Sequence, residues 1–107
     1  MQGTSRSELA AELESCARHC EETAAGYIDR HGEGAKTDVV SALLLAAAAL
    51  DTAATALGEG GDTPPTALLI ASTLVRDAIA AAERRGLDES LLHCVVDLRR
   101  IAALLEP

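Results

Sequence analysis

The chain has 107 residues, a formal net charge of −8 at pH 7 and an apolar fraction of 49%. It contains 22 alanines, three cysteines and a single aromatic residue, Tyr27. The length fits one domain over residues 1–107, and the apolar fraction is too high for a disordered segment. The acidic balance and the lack of aromatics exclude a typical nucleic-acid-binding surface. Because sheets favour β-branched and aromatic residues over alanine, the composition predicts an all-α protein.

The first predicted helix covers residues 5–31. Ser5 and Glu8 have the spacing of a capping box at its start, and Gly32 and Gly34 end it. Its inward positions recur at intervals of four and three residues, which is the pattern of a bundle seam. These positions are Leu9, Leu13, Cys16, Cys20, Thr23 and Tyr27.

The second predicted helix covers residues 38–57, and the glycines at 58, 60 and 61 close it. From Val39 to Leu57 its only charged residue is Asp51. A helix that is apolar nearly all round is buried on more than one side, so we predict a homo-oligomer with this helix at the interface, most simply a two-fold one. The predicted interface residues are Leu43, Leu44, Leu45 and Leu50. The alternative is that alanine is merely tolerated on the surface of a monomer.

The third and fourth predicted helices cover residues 63–85 and 88–105. Thr63 is the expected N-cap of the third, with Pro64 at its first position; Gly86 ends it and Asp88 caps the fourth. Their inward positions are Leu68, Ala71, Val75, Ala78 and Ala82, then Leu91, Cys94, Leu98, Ile101 and Leu105. Short connections join antiparallel neighbours, so the sequence predicts an antiparallel up-down-up-down four-helix bundle.

Two features of the sequence predict a cytoplasmic protein that does not enter a membrane. The first ten residues lack the apolar core of a secretory signal. The longest apolar stretch, Val39 to Leu50, is shorter than the roughly 20 residues that a spanning helix needs. In the cytoplasm the three cysteines stay reduced, which favours metal or redox chemistry over a disulfide framework.

The cysteines form the main candidate site. Cys16 and Cys20 lie one turn apart on the inward face of the first helix, where two sulfurs can hold one soft ion. Cu(I) accepts few sulfur ligands, whereas Zn(II) prefers four in a tetrahedron and is the less favoured cofactor. Cys94 is the candidate third sulfur. His19 and His93 precede Cys20 and Cys94 and lie at the edges of the seam, where they are candidate ligands at the flank.

Each part of this interpretation has an alternative. Reduced cysteine is commonly a small buried hydrophobe, so the three thiols need no function. A catalytic cysteine with His19 or His93 as its base is disfavoured, because inward seam positions lack the electropositive, partly exposed setting that activates a thiolate.

Residues 16–23 (CARHCEET) and 93–101 (HCVVDLRRI) resemble helices of the cysteine-rich four-helix-bundle copper storage proteins. In that family, cysteines recur along every helix at spacings of four and three and line the interior. Here Leu98, Ile101 and Leu105 stand where the family would carry cysteine, and helices two and three carry alanine, leucine or valine there.

The resemblance implies a tightly packed, commonly oligomeric and often cytosolic bundle. It carries over only Cys16, Cys20 and Cys94 as Cu(I) ligands, with His19 and His93 as further candidates. Three thiols hold one or two ions at most, so the resemblance does not imply a many-ion store.

Three hypotheses of function follow. The first is a small cytoplasmic protein that binds or handles Cu(I), or less favourably Zn(II), through its inward cysteines. The second is a repurposed, metal-free bundle that acts as an oligomeric scaffold. The third, from the enzyme class and less favoured, is a pathway protein whose interior cavity near Tyr27 and Cys20 holds a small molecule.

Overall fold

The computed structural model describes residues 5–32, 38–58 and 65–106 and contains, within those ranges, four α-helices and no β-strand. The helices are α1 (Arg6–His31), α2 (Asp38–Gly58), α3 (Pro65–Arg85) and α4 (Glu89–Leu105). The predicted all-α fold is therefore confirmed. The predicted N-cap Thr63, together with Pro64 and the glycines at 34, 60 and 61, lies outside the described residues.

Local hydrogen bonds set the helix ends. The Ser5 hydroxyl accepts the Glu8 backbone N–H at 3.2 Å and the Glu8 carboxylate accepts the Ser5 N–H at 3.4 Å, which confirms the capping box. Gly86 ends α3 with a φ of +95°, a conformation that costs a residue with a side chain free energy. Asp88 then caps α4 by accepting the Leu91 N–H at 2.8 Å.

Helices that are consecutive in sequence are neighbours in space, and α4 closes the bundle by packing on α1. The Arg6 side chain donates to the Leu57 carbonyl at 3.5 Å, which places the start of α1 beside the end of α2. Arg30, near the end of α1, pairs with Asp88 before α4 at 3.4 Å. The helices therefore run up-down-up-down in an elongated bundle of 42 × 23 × 19 Å.

The core combines a few leucines with many small side chains. Its largest fully buried side chains are Leu13, Leu43, Leu50, Leu91, Leu98 and Ile101. Between them lie alanines such as Ala46, Ala53 and Ala71, each 0% exposed, which let the helix backbones approach closely. Burial of each leucine or isoleucine stabilises the folded state by roughly 1.5–3 kcal/mol. These six side chains therefore contribute more to the stability of the core than the small alanines between them.

The predicted inward register is confirmed through the middle of each helix. Three of its positions, Leu9, Leu68 and Leu105, are only partly buried. All three line a groove of about 700 Å³ at the end of the bundle where α1 and α3 begin and α4 ends. The predicted register is correct at this end of the bundle, but within the described residues no further layer of side chains covers these three leucines.

The interface prediction on α2 needs correction at two of its four residues. Leu43 and Leu50 are 1% and 0% exposed, because both point into the core of their own protomer. Leu44 and Leu45 are 45% and 55% exposed and lie on the outer face. Leu43 and Leu50 are therefore core residues, and of the predicted set only Leu44 and Leu45 are available to a second subunit.

Of the described helices, α2 alone is long and apolar enough to cross a membrane by length and composition. The apolar stretch counted from the sequence ended at Leu50, but the alanines and threonines beyond Asp51 keep the helix largely apolar to Leu57. The argument that the segment is too short is therefore wrong. In the bundle α2 supplies a buried face, and core helices of bundles share this composition.

Candidate metal centre

Helices α1 and α4 bring all three cysteines together in one region of the interior. Cys16 and Cys20 occupy consecutive inward turns of α1, and Cys94 faces them from α4. Their exposures are 0%, 0% and 1%, and all three are free thiols. We call these three residues the thiol cluster.

The thiol cluster is held together by sulfur contacts. The Sγ atoms of Cys94 and Cys20 lie 4.0 Å apart across the α1–α4 seam. Cys16 lies one turn before Cys20 on α1, and Thr23, which is 5% exposed, occupies the next inward position of the same helix. Cys20 is thus the central member, and Thr23 adds a hydroxyl to a region that is otherwise made of sulfur.

The contacts within the cluster shift the pKa values of Cys20 and Cys94 in opposite directions. The hydrogen bonds of Cys20 with Cys16 and Cys94, together with burial, raise its pKa far above the ordinary value. The hydrogen bond with Cys20 lowers the pKa of Cys94 to about 7; burial opposes this shift, and Thr23 and the charge of His19 reinforce it. Of these two thiols, Cys94 is therefore the more acidic.

A polar pair lies on the seam beside the cluster. His19 Nδ1 is 3.2 Å from Asp97 Oδ2, and their side chains are 37% and 19% exposed. Arg100 donates to Asp97 Oδ1 at 2.8 Å. Burial acts to raise the pKa of Asp97, but the bonds from Arg100, His19 and Cys16 outweigh it, so the pKa falls below its ordinary value.

The two predicted histidine ligands have different positions. His19 lies at the flank of the cluster, where the sequence placed it, and is paired with Asp97. His93 is exposed and lines a surface groove with Arg30, Asp88 and neighbouring residues of α4. His93 is about 100° round α4 from Cys94, and this rotation turns it outward, so we leave it out of the ligand set.

The donor set limits the ions that fit. In the described part of the chain, no group of three or more His, Cys, Asp and Glu side chains is arranged to hold a metal ion. The cluster offers two sulfurs, those of Cys20 and Cys94, that are close enough to bind one ion between them. Cys16 lies one helical turn away. A tetrahedral Zn(II) site needs four ligands, whereas a soft ion of low coordination number needs two or three sulfurs.

The structure also bears on the predicted interior cavity. Cys20 is fully buried and Tyr27 is 7% exposed, with its ring centroid 4.3 Å from that of His31. The grooves of about 200 to 700 Å³ that the described residues form on the surface are lined by other side chains. None of these grooves is lined by Cys20 or Tyr27, so they lend the small-molecule hypothesis no support.

Sequence reasoning missed Asp97 and Thr23 as members of the site. Asp97 is three residues after Cys94, so it shares that side of α4, and this spacing is a usable signal. Thr23 was assigned an inward position, but its hydroxyl was given no role. A hydroxyl at an inward position needs a hydrogen-bond partner, and Thr23 lies close enough to Cys94 to help lower the pKa of that thiol.

The fold and the site together define a class: an all-α four-helix bundle with a buried cluster of reduced cysteines. Comparison with models of protein families, with curated proteins and with solved structures finds no match.

Proposed function

We propose that the protein binds Cu(I) through the thiol cluster, with Cys20 and Cys94 as the two ligands in place and Cys16 as a third that a side-chain rotation would have to bring in. The observation that carries this proposal is the 4.0 Å separation of two buried sulfurs from different helices. Such a pair holds one ion between α1 and α4. The resemblance to the copper storage proteins points the same way but stays a prediction.

The distance between the sulfurs suits a soft ion. With metal–sulfur bonds of about 2.3 Å, sulfurs stand ~4.0 Å apart in a trigonal site and ~4.6 Å apart in a linear one. The 4.0 Å separation matches the trigonal value and is shorter than the linear one, so Cys20 and Cys94 would move apart only slightly to hold an ion between them. Cys94 also supplies a thiolate near neutral pH, and the thiolate is the form that binds metal.

The number of thiols sets the scale of the function. Three sulfurs hold one or two Cu(I) ions, which fits handling or sensing of the metal and not bulk storage. Zn(II) is disfavoured because the described residues offer no set of four ligands around the cluster. We infer a cytoplasmic setting from the same chemistry, because Cu(I) and free thiols both require a reducing compartment.

The test is a titration of the reduced protein with Cu(I) against a competing chelator under anaerobic conditions. We expect tight binding by the native chain and its loss in the Cys20→Ala, Cys94→Ala double variant. Val75→Ala is the matched control, since Val75 is equally buried but lies on α3 away from the cluster. Unchanged Cu(I) affinity in the double variant would refute the assignment.

A second candidate function, self-association through α2, is favoured by a specific observation. The outer face of α2 exposes Leu44 and Leu45, and between Val39 and Leu57 the helix has one charge, Asp51. In a chain of net charge −8, a second copy can approach this face without opposing many carboxylates. We propose that this face joins two copies of the chain.

Light scattering across a concentration series tests the interface. We expect the native chain to be a dimer or larger, and the Leu44→Glu, Leu45→Glu double variant to be monomeric. Leu92→Glu is the control, because Leu92 on α4 is as exposed as Leu44, at 45%. A monomeric native chain, or equal dissociation by the control, would rule out the α2 interface.

A further inference from the structure

The inward side of the thiol cluster is closed by apolar side chains. Leu13, Leu91 and Leu98 on the same two helices are 0–1% exposed. A cation crossing such a wall would lose its hydration without gaining a ligand, and that makes the route unfavourable. The thiols therefore need another connection to solvent.

Polar contacts on the α1–α4 seam provide that connection. Arg100 pairs with Glu12 at 3.1 Å and donates to Asp97 at 2.8 Å. Asp97 in turn lies 3.2 Å from His19, which follows Cys16 by one turn of α1. A chain of polar groups thus runs from the exposed surface to the turn beside Cys16.

We propose that the His19–Asp97 pair is the access port of the thiol cluster, through which a soft monovalent cation such as Cu(I) reaches Cys16 and then Cys20 and Cys94. This inference rests on the proposed function for the identity of the cation. The port itself is a property of the seam and is testable without metal.

Charge and ligand chemistry both suit this role. Asp97 and Glu12 bring two carboxylates against the one guanidinium of Arg100, so the seam keeps a net negative charge that attracts cations. His19 offers an imidazole, a ligand that copper accepts, and Asp97 engages its Nδ1, which leaves Nε2 as the nitrogen for a cation. Because His19 follows the fully buried Cys16 by one turn of α1, we expect the intact pair to cover that thiol.

Alkylation of the native, metal-free protein by iodoacetamide tests the port. Mass spectrometry follows the modification of each cysteine with time. We expect His19→Ala and Asp97→Ala to raise the rate at Cys16 by about tenfold, because loss of one charge-assisted hydrogen bond raises the open population by that order. Asp97→Asn keeps the shape of the side chain and is expected to give a smaller increase.

His93→Ala is the matched control, because His93 precedes Cys94 as His19 precedes Cys20 but is exposed and outside the seam contacts. We expect no change in its alkylation rates. Equal rates in the native chain and the His19 and Asp97 variants would overturn the port. So would modification of all three thiols together in proportion to lost stability, since that pattern reports global unfolding.

The copper arm uses a Cu(I)–bathocuproine complex as the donor and measures loading by stopped-flow absorbance. We expect His19→Ala and Asp97→Ala to slow the loading by about tenfold, because the groups that attract and pass on the cation are lost, while the equilibrium affinity changes less than about twofold. Equal losses of rate and affinity would make the pair ligands and overturn the port. If the native chain binds no Cu(I), the proposed function fails, and the alkylation rates decide the port alone.

Discussion

Binding of Cu(I) between Cys20 and Cys94 is expected to raise the thermal stability of the bundle. The two residues lie 74 positions apart in the chain, so an ion that bridges them closes a long loop. By analogy with a disulfide, closing a loop of that length restricts the unfolded chain by about 4 kcal/mol. This is an upper bound, because Cys16 and Cys20 can bind an ion together in the unfolded chain.

A second route gives a similar magnitude. At a free Cu(I) concentration about 100-fold above Kd, an ion that binds only the folded state adds about 2.7 kcal/mol. For a domain of this size each kcal/mol raises Tm by roughly 4–8 °C. We therefore expect the Tm of the loaded protein to exceed that of the metal-free protein by roughly 10–20 °C.

Circular dichroism melts of reduced protein, with Cu(I) buffered by a chelator under argon, measure this shift. Cys94→Ala retains Cys16 and Cys20 on one helix and is expected to show little or no increase, because a local pair joins no distant parts of the chain. Val75→Ala is expected to show the full increase from a lower starting Tm. Bound copper with no rise in the native Tm would refute the bridge between α1 and α4.

Three further predictions concern pH, caps and core. The lowered pKa of Cys94 means that the unfolded chain binds more protons between pH 7 and 9, so stability rises over that interval and falls above it as the raised pKa of Cys20 takes effect. Urea unfolding at several pH values measures this, and a rise that persists in Cys94→Ala would contradict it. Ser5→Ala removes the capping hydroxyl of α1 and is expected to cost about 1 kcal/mol in a thermal melt, whereas an unchanged Tm would contradict the cap. Leu50→Ala is expected to cost 2–5 kcal/mol and Leu45→Ala less than about 0.5 kcal/mol in the same melt; similar losses would contradict their assignment to core and surface.

The features that were predictable from sequence are those whose information is local. The capping box at Ser5, the glycine at 86 and the cap at Asp88 each depend on residues within one turn of the chain. The inward register of α1 and α4, including the cysteines, follows from intervals of three and four. These elements were placed correctly because no distant contact competes with them.

The three consecutive leucines of α2 show where prediction from neighbouring residues alone fails. A run without charges does not show which residue faces inward, and the prediction assigned the whole group to an interface. The interval of seven between Leu43 and Leu50 carried the missing information, since both fall on the buried stripe. Burial follows the phase of the helix, and mean apolar character does not reveal phase.

The contacts between helices required the fold itself. The sequence marked Cys94 as a candidate third sulfur without fixing its distance from Cys20, and the structure brings the sulfurs of the two residues to 4.0 Å. The pairing of His19 with Asp97 depends on the same alignment of α1 against α4. A shift of one turn between these helices, about 5 Å along the axis, would separate both pairs, and no sequence signal fixes the alignment to that precision.

The seam between α1 and α4 joins the helices most distant in sequence, and this has a consequence for the order of folding. The other three seams join consecutive helices and form with short loop closures, whereas this one requires the whole chain to be in place. Until α4 docks, Cys16 and Cys20 face solvent without Cys94. The complete thiol cluster therefore depends on the contact that spans the longest stretch of the chain, and we expect it to be lost first when α4 detaches.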